Sequence, residues 1–154
     1  MFKIQCDKNF IDKLQNFFIY LKTPVEINCF LQQDCDICIL RDEFFPKDFS
    51  PSSKYILINS DDKNLLNRIK SFRSNIVSCG LSTRSTATLS SISDDNKVIC
   101  LQRRITDLYG KTVPQLEFPI KLSSLYLDDI SVIMIAISAL ICGVDISVLS
   151  KINL

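Results

Sequence analysis

Thirteen consecutive residues, 130–142, read ISVIMIAISALIC and carry no charge. This stretch constrains the fold most, because leaving so much apolar surface in water is costly and nearly every side must be covered. It is shorter than the ~20 residues that a membrane-spanning helix needs. Asp128 and Asp129 precede it and Gly143 follows. An acidic start and a glycine stop predict a buried helix over 129–142 rather than a strand. The chain can supply a core around it, since 47% of its 154 residues are apolar. That length predicts a single domain over 1–154.

The remaining elements follow from periodicity. Residues 2–6 alternate like a short strand, and Asp7 is placed to cap the next helix. In that helix Phe10, Ile11, Leu14, Phe17, Phe18 and Leu21 recur at helical spacing and stop before Pro24. Strands are predicted at 25–31, 37–40, 55–58 and 76–79, the second apolar on both faces as in a covered parallel sheet. Residues 41–53, with Pro46 and Pro51, read as a loop. Leu65, Leu66, Ile69 and Phe72 mark a helix, and Gly80 closes the strand after it. The second half changes character. Segments 86–92, 98–105 and 116–122 are extended, with turns predicted at Asp94-Asp95-Asn96 and Tyr109-Gly110-Lys111. Residues 146–152 read as a last turn or two. The expected class is α/β: a mainly parallel, helix-flanked sheet with a small appended antiparallel β-sheet.

Composition narrows the chemistry. Eighteen basic and 17 acidic residues leave a net charge of +1, so neither nucleic acid nor membrane is the expected partner. Arg103-Arg104 reads as an exposed turn or edge. Histidine is absent, which removes the commonest general base, the Ser-His and Cys-His nucleophile pairs and the usual neutral metal ligand. Most of the seven cysteines lie in apolar runs, and MFKIQCDKNF lacks the apolar core of an export signal. The expectation is therefore reduced, buried thiols in a cytoplasmic protein. Cys35-x-x-Cys38 has no second pair to complete a zinc site and sits in the strand-like run CDICIL, not at a helix start. No metal is expected. The acidic group Asp34, Asp36, Asp42 and Glu43 reads as a solvated strand end rather than an acid–base site.

Gly110-Lys111-Thr112 has the ending of a phosphate-binding loop, but the glycine required five positions earlier is Ile105. Without a nest of backbone N–H groups it reads as a hairpin turn. The strand end YILINSDDKNL is more informative, since four apolar residues run into Asn59-Ser60-Asp61-Asp62. Locally, this is a strand stop followed by an Asp that caps the next helix.

That stretch also resembles the strand of the Mur ligase central domain that ends in Asn-x-Asp-Asp. IVSCGLSTRSTATLSSI resembles the family's next strand, Gly turn and extended segment; YGKTVPQLEFPIKL looks like its last hairpin strand; SVIMIAISALICGVDI is similar to its Ala-rich helix closed by Gly-Val/Ile-Asp. The resemblance covers residues 36–148 in order. It implies the central-domain fold of these bacterial ATP-dependent ligases, with Asn59 and Asp62, and less so Asp61, as contacts of an adenine nucleotide at the carboxyl end of a strand. The departures are systematic. The first 40 residues contain no glycine, so the family's phosphate loop has no counterpart. Its metal-binding Glu and His cannot be placed. Its Asp-His-Leu-Asp segment is shortened to Arg41-Asp42-Glu43-Phe44, and Tyr126-Leu127-Asp128 stands where the family has Gly-x-His/Phe-Asn. The domain that brings the amino-acid substrate is expected to be missing. Acyl-phosphate formation needs those groups to hold and neutralise a triphosphate. The expectation is a non-catalytic relative without a cofactor, an interaction or regulatory module linked to cell-wall metabolism, with a protein partner or a second copy of itself. Phe44, Phe45 and Phe49 are its candidate contacts, unless they tuck under the loop. The alternative is a nucleotide or nucleotide-sugar sensor that binds without hydrolysis.

Overall fold

The computed structural model of the chain describes residues 1–93 and 96–154, so Asp94 and Asp95 of the predicted turn lie outside it. The chain divides into two compact units, Met1–Ser78 and Cys79–Leu154.

The first unit alternates strand and helix: β1 (Phe2–Cys6), α1 (Ile11–Tyr20), β2 (Val25–Cys29), β3 (Asp34–Leu40), β4 (Ser52–Asn59), α2 (Lys63–Arg68) and β5 (Asn75–Cys79), whose last residue begins the second unit. The strands lie in the order β2-β1-β3-β4-β5. β1 runs parallel to β2 and β3, and β3 runs parallel to β4. Both parities of β3 and β4 are buried: Ile37, Ile39 and Leu57 on one, Cys38, Leu40, Ile56 and Ile58 on the other. That is the covered parallel sheet its apolar runs predict. α1 buries Leu14, Phe17 and Phe18 and packs beside β2. Its chain reverses at Lys22, φ +54, just before Pro24. Asp7 does not cap it. The helix begins at Phe10 without a side-chain cap, while the Asp7 carboxylate accepts from Asn9 N and pairs with Arg41. Asp7 lies three residues before the N-cap position, too early to serve the free N–H groups of the first helical turn.

The second unit holds β6 (Ala87–Ile92), β7 (Lys97–Leu101), β8 (Ile105–Thr106), β9 (Thr112–Val113), β10 (Leu116–Ile120), a 3₁₀ turn (Ser123–Leu125), α3 (Asp129–Ile141) and α4 (Ile146–Leu149). Cys79 pairs in parallel with Ala87, and β6, β7 and β10 follow as an antiparallel ladder. The small separate sheet is the β8–β9 hairpin alone. The extended segment predicted over 98–105 is thus two strands in two sheets. Gln102 breaks it: its N–H bonds Thr86 O at 2.8 Å and its side chain bonds Ser85 O at 2.7 Å, so the chain turns out of the ladder there.

α3 matches the predicted helix within a residue, and every position from Ser131 to Ile141 is buried. Asp128 caps it by accepting from Ser131 N at 2.8 Å. Gly143 ends it at φ +83, with its N–H on Leu140 O and that of Val144 on Ala139 O. A Cβ there would meet the Tyr109 ring at 2.7 Å, so both conformation and space require glycine. Among the described residues no helix is long and apolar enough to cross a membrane. The class is α/β, with parallel strands dominating the first unit and a two-stranded antiparallel sheet set apart in the second.

Candidate functional site

The carboxyl ends of β1, β3 and β4 bring polar residues together in the first unit, which is where ligands of open α/β sheets sit. Asp7 follows β1, Arg41 follows β3 and Asn59 ends β4. The Arg41 guanidinium grips Asp7 through Nε at 2.7 Å and Nη2 at 2.8 Å, and lies 4.4 Å above the Phe10 ring centre. Asn59 Nδ2 donates to Arg41 O at 3.2 Å, and its Oδ1 accepts from Asp61 N at 3.0 Å. The backbone N–H of Asp62 bonds Asn59 O at 3.3 Å. Asp62 Oδ1 accepts from Asn64 N at 3.0 Å and from Leu65 N at 3.1 Å, which makes it the N-cap of α2. Asn59 therefore turns the chain out of the strand, and Asp62 starts the helix.

The same end of the sheet carries loop 41–53. Its aromatics divide. Phe45 and Phe49 are 7% and 4% exposed and pack with Phe30, and Phe45 also meets Phe72. They tuck under the loop as part of the apolar cluster that includes Leu40, Ile56, Ile58 and Leu65. Phe44 alone of the three faces water, at 79% exposure. Arg68, at the end of α2, pins the loop by donating to the carbonyls of Glu43, Phe45 and Pro46 with its guanidinium 3.5 Å from the Phe45 ring centre. Periodicity gave no sign of Arg41 or Arg68, whose partners lie far away in sequence.

Other predicted groups stay apart. Asp34 accepts from Ser52 Oγ at 2.6 Å, and Asp36 accepts from Lys3 N at 2.8 Å, both at the amino end of β3. Asp42 and Glu43 follow its carboxyl end, bonding Phe44 N and Asn64 Nδ2. Most of the strand lies between the two pairs, residues 37–41 separating Asp36 from Asp42 by roughly 20 Å, too far for one acid–base site. Cys35 and Cys38 are buried, and burial pushes the Cys35 thiol up to about 11 and the Cys38 thiol well above its ordinary value. That is the opposite of an activated thiol. Among the described residues no group of three or more Cys, Asp or Glu could hold a metal ion. In the second unit Gly110-Lys111-Thr112 is a turn, ordered by the Asp107 carboxylate, which accepts from Tyr109 N at 2.9 Å and Lys111 N at 2.8 Å. Arg103 and Arg104 are exposed between β7 and β8.

The chain matches no model of a known protein family, and a search of curated proteins finds no match to it.

Proposed function

We propose that this chain is a non-catalytic, Mur-ligase-like module that works through protein contacts rather than ligase chemistry. One observation carries the reading: Asn59 and Asp62, where the resemblance puts the adenine nucleotide, direct their side chains to nearby backbone groups. A nucleotide would have to compete with the cap of α2 and with the turn after β4. The exposed Phe44 ring, held out by the Arg68-pinned loop, is the contact offered to a protein partner or a second copy in the cytoplasm of a bacterium.

Titration calorimetry of the full chain with ATP, ADP and UDP-sugars tests this, and no heat is expected at millimolar ligand. The position of these residues at the carboxyl ends of parallel strands favours the second reading, a nucleotide sensor without hydrolysis. ATP binding that is lost in Asn59→Ala would establish that reading instead. Turnover of magnesium-bound ATP by the purified chain would end the non-catalytic one.

The capping role has its own readout. Asp62→Ala is expected to lower unfolding stability by about 1 kcal/mol, and Asp62→Asn to cost much less, because Asn also caps well. Urea denaturation measures both.

A further inference from the structure

We propose that Cys6 and Cys29 form a thiol–disulfide pair, oxidised by a low-molecular-weight disulfide, that ties the end of edge strand β2 to β1. The two residues are direct partners in the parallel register of β1 and β2. In-register partners point to the same face, and neighbouring strands lie about 4.7–4.9 Å apart. That spacing falls within the roughly 4.4–6.8 Å that separates the Cα atoms of disulfides. Each cysteine is the last residue of its strand. A small closure at the ladder's end therefore breaks no bond farther along it. Among the described residues β2 has β1 as its sole strand neighbour, so no second ladder resists the shift. All seven cysteines are free thiols, and among the described residues no other pair of cysteines meets in a strand register.

Exposure assigns the order of events. Cys29 is exposed and Cys6 is fully buried. The Cys29 thiolate attacks one sulfur of the small disulfide, forming a mixed disulfide and releasing the first small thiolate. The Cys6 sulfur, its proton lost to solvent, then attacks the Cys29 sulfur. The Cys6–Cys29 bond forms and the second small thiolate leaves. Two protein thiols are oxidised, one small disulfide is reduced, and the two protons end on the departing thiols. Burial pushes the Cys6 thiol up to about 12, so Cys6 is a poor first attacker and relies on the adjacent Cys29 mixed disulfide being held in register beside it.

Incubation of the purified full chain with oxidised glutathione, followed by intact-mass measurement and peptide mapping, tests the pairing. The expected product is lighter by two hydrogen atoms, has the Cys6 peptide joined to the Cys29 peptide, and reverts with a dithiol reductant. Cys6→Ala stops at a glutathione adduct on Cys29. Cys29→Ser, an exposed and conservative change, leaves Cys6 unmodified. A lasting adduct on Cys29 of the parent chain, a bridge through any other cysteine, a bridge between two chains, or no reaction overturns the proposal.

Discussion

Ile135→Asp is expected to abolish cooperative folding, leaving no thermal transition by circular dichroism and little soluble protein. Ile135 is 0% exposed in a helix whose positions from Ser131 to Ile141 are all buried. The cation nearest this helix in the ion pairs, Lys97, already holds Asp129 at 2.7 Å, in the first turn and more than a turn from position 135. The new carboxylate would lack a counter-charge and would take up its proton instead. Losing the Ile side chain alone costs about 2–5 kcal/mol, and burying an unpaired polar group adds roughly 2–7 kcal/mol. Together these rival the ~5–15 kcal/mol that holds a whole domain together. Ser138→Ala, one turn away, is the contrast. Its hydroxyl donates to Met134 O at 2.6 Å, a carbonyl that also accepts within the helix. Its loss is expected to change stability by less than ~1 kcal/mol. A chain that tolerates Asp at 135 would not have α3 at the centre of its second unit.

Arg68→Ala is expected to destabilise the first unit by about 3 kcal/mol and to open loop 41–53 to proteases. One guanidinium serves three loop carbonyls and covers the Phe45 ring. Removing it takes a donor from each of those carbonyls, leaving Glu43 O only Phe45 N at 3.1 Å and Pro46 O only Phe49 N at 2.9 Å among the described residues, and uncovers Phe45 at the edge of the apolar cluster. Arg68→Lys is expected to restore little, because a single ammonium on a flexible stem cannot reproduce a planar fork that meets several acceptors at once. Urea midpoints of the parent and both variants, with the cleavage pattern of a brief protease digest, read the two effects. Equal midpoints for Lys and Arg would show that charge alone, not the fork, holds the loop.

Local features predicted local structure well. The cap and stop of α3, the spacing of Leu14, Phe17 and Phe18, and the Asp62 cap each depend on residues within four or so positions, so their physics is complete in the sequence. The same short reach explains the readings that failed. Asp7 does not cap α1 because the helix starts three residues beyond it, at Phe10, and its carboxylate is held by Arg41, 34 residues away. The segment 98–105 broke at Gln102 because Ser85 and Thr86 bind it across the ladder. Asn59 and Asp62 were legible as a strand end and a helix start, but not that Asn59 would hold Arg41, or that Arg68 would choose which loop aromatics lie inside.

By itself, the amino-acid order determined where most helices and strands lie and that one helix must be hidden from water, since burial of apolar periodicity and short-range capping need no partner beyond a turn or two. The tertiary structure alone decided which strands are neighbours, which carboxylates pair, and that Cys6 faces Cys29. Those outcomes depend on residues brought together across long stretches of chain, where several pairings satisfy the same local rules and only packing selects among them.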